Sequence, residues 1–321
     1  MNIQEQIYKK INDYDTIIIH RHQRPDPDAI GSQIGLSSIL KKNFPNKQIY
    51  VVGKKIDGLS WIGDPDKVDE NKFQNALIFV LDTANKPRID DNRWQKGSYI
   101  IKIDHHPEDD VFGDLSLVNV KASSTSEILV DFCRKFHLKF TYQAVKSFYA
   151  GIVGDTGRFL YSNTTSHTME DVSFLMSARE NLDFTKINRC ECEINLSLAR
   201  LVSYVYENLV ITKYGLGYII LKKDILNKFD LENCGTSSIV PLPGNLKEIN
   251  SWIIFEENTD GSYRVRLRSK KVFINDIAKK HRGGGHPLAS GAKAKNETEI
   301  NQIISEVNDL LKEEKLYDKK I

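Results

Sequence analysis

The chain lacks any apolar run long enough to span a bilayer, and its opening residues, MNIQEQIYKKINDYD, carry none of the apolar stretch a secretory signal requires. A cytoplasmic protein without a membrane partner is therefore expected. Cysteine is scarce: Cys133, Cys190, Cys192 and Cys234 form no CxxC pair, so buried or incidental thiols are expected rather than a disulfide framework or a thiolate zinc site. Charge of one sign is missing too, since 45 Lys and Arg stand against 43 Asp and Glu for a formal charge of +2. A coat for long nucleic acid needs more, and any basic groove must be local. There is no internal repeat, no low-complexity segment and no Pro or Gly-Ser linker. What remains is an ordinary globular composition, 40% hydrophobic and 27% charged, over a length that exceeds a usual single core, so two domains are expected.

Up to about Asn188, short apolar runs alternate with helix-like stretches, as a parallel sheet flanked by helices requires. Strands are predicted at Thr16 to His20, Gln48 to Val52, Ala76 to Leu81 and Tyr99 to Ile103. The helix after Asp28 carries Ile30, Ile34, Leu36, Ile39 and Leu40, with Gly31 and Gly35 small enough for close approach to the sheet. Another helix opens at Ser124 with Glu127 three residues on, a capping-box pattern. A third, around Tyr142 to Val153, runs into GDTGRF. A helical stretch, 189–213, is expected to link the two domains, 1–188 and 214–321. Beyond it GYIILKK, WIIFEE and SYRVRLRSK read as strands, with NTDG as a hairpin turn. The closing helix repeats Ile300, Ile303, Ile304, Val307, Leu310 and Leu311 on one face.

Four acidic or histidine-bearing segments stand out: HQRPDPD, VLD, IDHH and GDTGRF. Three follow strand-like runs, and in open α/β sheets the carboxyl ends of strands aim their side chains at a common crevice. Asp26 and Asp28 are two apart, so an extended backbone held by Pro25 and Pro27 points both carboxylates to one side, with His22 in reach. Taken alone, Asp28 reads equally as a helix N-cap. Asp82 ends an otherwise apolar strand, where an unpaired carboxylate bears a large desolvation cost unless a cation or donor meets it. Asp104, His105 and His106 in a row suit a metal site, although a His pair also satisfies core hydrogen bonds. Asp155 suits a turn or a ligand loop. Oxygen and imidazole without thiolate favour manganese or magnesium over structural zinc.

These segments, as HQRPDPDAIGS, VLDTA, IDHHP and GIVGDTGRF, resemble the four motifs of the DHH phosphoesterase superfamily in order, spacing and strand context. The resemblance implies that His22, Asp26 and Asp82 hold one metal and that Asp28, Asp82, His105 and Asp155 hold the other, with Asp82 bridging. Two divalent ions are implied, manganese as in similar enzymes, with magnesium or cobalt as substitutes. Arg24 stands where members of that family often carry Asn. Such a pair of ions activates water and clamps the oxygens of an in-line phosphoryl displacement without a protein nucleophile. Asp104 is then expected to orient an imidazole, His106 to contact the scissile phosphate, and Arg158 to neutralise developing charge or simply form a surface ion pair.

In the second half Arg264, Arg266 and Arg268 alternate with Val265 and Leu267, so three guanidinium groups share one strand face; a solvated outer face is the simplest explanation. The run HRGGGHPLASGA changes the balance, because consecutive glycines let backbone amides approach an anion. From RSK through GGGHPLASGA the segment resembles the DHH-associated carboxy-terminal domain, which implies substrate contacts from Arg268, Ser269, Gly284, Gly285 and His286. Arg266 is a less secure member, since that family often has a small residue there. The implied architecture is α/β: a parallel-sheet DHH domain flanked by helices, a smaller α/β DHH-associated domain, and an active-site cleft between them.

Both domains with nothing appended resemble the branch of that family that degrades short single-stranded RNA fragments and removes the 3′-phosphate of adenosine 3′,5′-bisphosphate. A homodimer is compatible with this. A linear or cyclic dinucleotide phosphodiesterase shares the same two domains and remains an alternative; pyrophosphatases and polyphosphatases lack the GGGH segment. A non-catalytic nucleotide sensor is the rival from another class, and a missing ligand would be its mark.

Overall fold

The structure, a computed structural model, describes residues 1–108, 110–179, 181–229 and 236–318; Cys234 lies outside the described residues. The chain forms two units, Met1–Glu193 and Ile194–Ile321. The first contains, in order, α1 (Ile3–Asp13), β1 (Thr16–His20), α2 (Pro27–Asn43), β2 (Gln48–Val51), β3 (Leu77–Leu81), β4 (Tyr99–Asp104), β5 (Leu115–Val118), α3 (Thr125–Lys135), α4 (Tyr142–Asp155), α5 (Ser166–Ala178) and α6 (Phe184–Cys192). The second contains α7 (Leu196–Asn208), β6 (Val210–Ile211), β7 (Leu216–Leu221), α8 (Lys223–Asn227), β8 (Ser251–Glu257), β9 (Tyr263–Ser269), α9 (Asn275–Lys280), β10 (Gly284–His286), β11 (Ala289–Ala294) and α10 (Glu297–Asp318). Among the described residues no helix is long and apolar enough to cross a membrane. Cys133, Cys190 and Cys192 are free thiols.

In the first unit all five strands run parallel in the order β2-β1-β3-β4-β5. The direction of winding reverses between β1 and β3, which is where a crevice opens at the carboxyl ends of a doubly wound sheet. β3, LIFVL, is buried at every residue, as a central strand covered on both faces must be. Its two faces are covered differently. Leu77, Phe79 and Leu81 pack with residues of the helices, including Ile39, Leu129 and Phe148. Ile78 and Val80 pack with Phe73, Trp94 and Phe112 from the irregular connections. The fifth strand, β5, carried too weak a pattern to be read from sequence: all four of its residues are only half buried.

Three local expectations change. Gly31 and Gly35 face α4 rather than the sheet: a Cβ on Gly31 would run into the Ser147 carbonyl oxygen, and one on Gly35 into the Phe148 ring. Ser124 does cap α3 by accepting from Glu127 N at 3.1 Å, but the Glu127 carboxylate accepts from Ser123 and Thr168 hydroxyls instead of closing the box. The stretch read as one helical linker, 189–213, breaks between α6 and α7, where Asn195 caps α7. α7 is no free spacer, because Leu198, Leu201 and Val205 pack with Ile219, Leu221 and Ile254 of the second unit's sheet.

That sheet has six strands in the order β10-β11-β9-β8-β7-β6, antiparallel except for β7 and β8. Its other face carries α9 and α10, with Ile300, Ile303, Val307 and Leu311 of the latter buried as the spacing requires. The NTDG turn forms as read: Asp260 accepts from Ser262 N, and Gly261 takes φ +77°.

Because the Ser147 carbonyl opposing Gly31 is backbone and unable to step aside, Gly31→Ala is expected to force α2 and α4 apart at a cost of about 1–3 kcal/mol. The urea midpoint should fall with an unchanged m value; an unaltered midpoint would show that the two helices have slack.

Candidate metal centre

The carboxyl ends of β1, β3 and β4 all deliver polar groups to the β1/β3 crevice. His22 lies two residues past β1, Asp82 immediately past β3, and Asp104 closes β4 ahead of His105 and His106. Asp82 takes φ +51°, a left-handed backbone that costs any residue but glycine, though aspartate and asparagine enter it more readily than most. Arg24 also has a positive φ, +53°, a conformation asparagine adopts more readily than arginine. The two carboxylates of PDPD separate in role. Asp26, not Asp28, is the N-cap of α2, accepting from Ala29 N at 3.0 Å. Asp28 sits within the first helical turn, fully buried, and accepts from the amides of Thr125 at 2.7 Å and Ser126 at 3.0 Å. These two residues open α3, so its N-terminal amides hold the carboxylate. Asp155 is the last residue of α4 rather than part of a loop.

The six expected ligands meet. His22 Nε2 is 3.6 Å from Asp26 Oδ2 and 3.3 Å from Asp82 Oδ2; His105 Nε2 is 3.4 Å from Asp82 Oδ1 and 3.0 Å from Asp155 Oδ2. Ligand atoms of His22, Asp26 and Asp82 lie within 4.8 Å of one another, and so do those of Asp28, His105 and Asp155. Asp82 thus turns one oxygen toward each group. His22 Nδ1 donates to the Gln23 carbonyl at 2.8 Å, which leaves Nε2 for the centre. Asp104 Oδ1 accepts from the amides of His105 and His106 and from His106 Nδ1, the last at 2.8 Å, so the His106 ring is held with its Nε2 directed elsewhere. Its other oxygen lies 3.5 Å from Lys102 Nζ, both side chains being fully buried.

Electrostatics show how uncomfortable this grouping is by itself. Burial, then the charges of Asp82 and Asp155, push Asp28 well above the usual carboxylate range. Burial, followed by the nearby Asp26 and Asp82, brings Asp155 up to about 6 in spite of His105. Burial opposes a charged His22, but its close pairing with the Asp26 and Asp82 carboxylates outweighs it and holds its pKa up at about 10. The same contest, with Asp155 and Asp82 as partners, takes His105 to about 12. Asp82 itself stays far below the ordinary range because those two imidazoles outweigh its burial. His105 Nε2 is buried without a hydrogen bond of good geometry. Four carboxylates, two imidazoles and an unsatisfied ring nitrogen, with no thiol among them, fit divalent cations that prefer oxygen and nitrogen.

Two neighbours escaped sequence reasoning. Glu191, on α6, is half-buried with Oε1 unpartnered; burial, and then the charges of Asp26 and Asp155, raise its pKa to about 8 against the pull of Arg158. Nothing in ECE distinguishes it from a solvated helical glutamate. Lys102 was visible as the one basic residue of YIIKID, yet gave no hint of its pairing with Asp104. Arg158 is exposed and donates to Cys192 Sγ at 2.9 Å.

In the second unit, taken by itself, the expected substrate residues divide. Arg266, expected at the substrate, is instead buried, with its guanidinium 3.2 Å from Glu256 Oε2 and donating to the Thr236 carbonyl and hydroxyl. Arg268 is half-buried and donates to the Leu267 and Ser290 carbonyls. Ser269 is buried against Ser251. The glycine run forms no anion-cradling loop: Gly284, Gly285 and His286 make up β10, paired with β11. Gly283 and Gly285 are glycine because a Cβ would strike the β11 backbone, and Gly285 also has φ +131°. Gly284 faces open space, and His286 is exposed.

Comparison with known proteins adds to this geometry. The model of the DHH family, N-terminal domain, matches residues 16–153, and that of the DHHA1 domain matches residues 224–313. A probable bifunctional oligoribonuclease and PAP phosphatase NrnA of Streptococcus mutans is 50% identical, covering 95% of this chain and 98% of that protein. The bifunctional oligoribonuclease and PAP phosphatase NrnA of Bacillus subtilis is 40% identical, covering 96% and 98%. Among solved structures, an exopolyphosphatase-related protein from Bacteroides fragilis superposes with a TM-score of 0.85 at 27% identity, covering 96% of this chain and 97% of that one.

Since His22 and His105 have raised pKa values without metal, both imidazoles are protonated at neutral pH and must lose a proton to coordinate a cation. Manganese uptake by the metal-stripped protein is therefore expected to release protons and to weaken as pH falls. Calorimetry in buffers of unlike ionisation enthalpy reads this directly; the same heat in every buffer would contradict it.

Proposed function

The chain belongs to the DHH family of phosphoesterases, and from that premise we propose that it hydrolyses short oligoribonucleotides to mononucleotides and removes the 3′-phosphate of adenosine 3′,5′-bisphosphate, in the cytoplasm. The observation that carries the proposal is the pair of ligand groups facing the two oxygens of Asp82. The two relatives at 50% and 40% identity bear names stating both activities. Either substrate presents a bond between phosphorus and a 3′ oxygen, so one centre serves for both.

His22, Asp26 and Asp82 would hold one divalent cation, and Asp28, Asp82, His105 and Asp155 the other; manganese suits oxygen and imidazole donors without thiolate. When bound, the pair supplies an activated water and neutralises charge at the phosphorus. The protein's own groups prepare the rest. Gln23 and Asp104 fix the orientations of His22 and His106 through their Nδ1 atoms. His106, so held, would donate from Nε2 to a phosphoryl oxygen. Arg158 would offer its guanidinium to the same group, moving off Cys192 to do so. Arg268 and His286 are the proposed substrate contacts of the second unit, with Gly284 providing backbone that no side chain obstructs. A formal charge of +2 supports short substrates, because tight grip on long chains needs many phosphate contacts.

With manganese, the purified protein is expected to turn over both a 5′-phosphorylated RNA dinucleotide and adenosine 3′,5′-bisphosphate. Asp82→Asn should lower both activities together by roughly 1,000-fold, about 4 kcal/mol of barrier. Loss of one with retention of the other would divide the activities between two centres; preferential turnover of a cyclic dinucleotide would replace the proposed substrate class.

The two neighbouring arginines should respond differently. Arg268→Ala is expected to raise KM for both substrates with little change in kcat, whereas Arg266→Ala should chiefly lower thermal stability, because it leaves the Glu256 carboxylate with the Thr236 hydroxyl but without its guanidinium partner, at a cost of about 1–2 kcal/mol. Identical kinetic defects with no change in melting temperature would place both at the substrate.

A further inference from the structure

α3 and α5 assemble a second cluster within the first unit, apart from the Asp82 centre. His167 and Asp171 are four residues apart on α5 and share one of its faces. Asp131 on α3 meets them, with its Oδ2 2.7 Å from His167 Nε2; Asp171 Oδ2 lies 3.7 Å from the same nitrogen. The three ligand atoms all fall within 4.8 Å of one another.

Ion pairing between the helices accounts for part of this arrangement and leaves one atom over. Arg134 engages Asp171 Oδ1. Asp171 Oδ2, on a side chain with 0% exposure, has no hydrogen-bond partner and faces the His167 nitrogen within the triad. A buried carboxylate oxygen without a donor is unfavourable unless a cation meets it. The surroundings are electronegative as well. Glu170 lies 3.8 Å from His167 Nδ1, and Glu127 is hydrogen-bonded to Thr168 beside it, so the carboxylates of Asp131, Asp171, Glu170 and Glu127 gather around His167 and Arg134. His167 and Asp131 are partly exposed, which leaves room for water on the outer side.

We propose that Asp131, His167 and Asp171 form a separate binding site for one zinc ion, with water completing its coordination. One imidazole and two carboxylates, from an i, i+4 pair and a neighbouring helix, are the three protein ligands that a four-coordinate zinc takes together with one water; with fewer oxygens than the Asp82 centre, the triad is the poorer site for six-coordinate manganese or magnesium. The ion would displace the proton shared between His167 and Asp131 and satisfy Asp171 Oδ2. It would also tie α5 to α3, the helix whose first amides hold Asp28.

Crystals of the full chain grown with zinc, measured on both sides of the zinc absorption edge, are expected to show anomalous density at this triad in addition to any at the Asp82 centre. Density at the Asp82 centre alone, or none at either, overturns the proposal. In solution, metal-stripped protein re-equilibrated with zinc and desalted should retain one more ion per chain than His167→Ala or Asp131→Asn, while dinucleotide hydrolysis with manganese stays unchanged. Equal retention overturns it as well. Should both variants fail to fold, the anomalous map of the unaltered protein decides, and because the Asp82 centre is counted separately, failure here is distinct from failure of the proposed hydrolysis.

Discussion

Asp82 faces His22 through one carboxylate oxygen and His105 through the other, at 3.3 and 3.4 Å, from a position only 2% exposed. Around it stand Asp26, Asp28 and Asp155. Like charges about 4 Å apart repel by about 4 kcal/mol at the effective dielectric of a protein, so this grouping persists only with compensation. Two imidazoliums supply part of it, which is why both histidines hold their protons so tightly. Divalent cations would supply the rest. The left-handed backbone at Asp82 belongs to the same account, since strain of this kind survives where surrounding structure over-determines it.

The close approach of α2 and α4 brings two members of that carboxylate cluster together. Asp28 and Asp155 lie on different helices, α2 and α4, which approach through Gly31 and Gly151; a Cβ on Gly151 would collide with Asp28 Oδ1 and Ser126 Oγ. α3 arrives with its N-terminus aimed at Asp28, contributing two amides and the favourable end of its dipole. Thr125 adds a hydroxyl to Asp82 Oδ1 at 3.2 Å. Three helix ends and three strand ends therefore meet at one place, and packing in the first unit reads as the means of holding charges that water would otherwise solvate.

Part of this was legible in the sequence because His22, Asp82 and His105 follow strands, where a continuous apolar run stops abruptly in Asp or His. β1, β3 and β4 followed from that, and the set of six side chains from the resemblance of the four motifs to the DHH superfamily. Other features left no such trace. That Asp26 caps α2 while Asp28 turns inward depends on where the helix begins, and a boundary shift of two residues exchanges their roles. Gly31 signalled close approach but not to what, since a helix and a sheet impose the same steric demand. The amides of Thr125 and Ser126 carry no side-chain signature for binding Asp28. Glu191 lies in an ordinary amphipathic helix, and only tertiary packing brings it near Asp26 and Asp155.

The arginines of β9 show the same limit in sharper form. Alternation places Arg264, Arg266 and Arg268 on one face of the strand, and it says nothing of what covers that face. Register does: Arg266 pairs with Ile254 on β8 and Arg264 with Glu256. Glu256, two residues along from Ile254 on the same side, and Thr236 from the preceding connection close over the Arg266 guanidinium. Arg264, beyond that cover, is exposed, and Arg268 is half exposed. A desolvated guanidinium with a carboxylate and two oxygens around it has little left to offer a phosphate, whereas a partly hydrated one loses less by changing partners. Three residues identical in type and facing thus come to unlike roles through depth alone, which a strand's period does not encode.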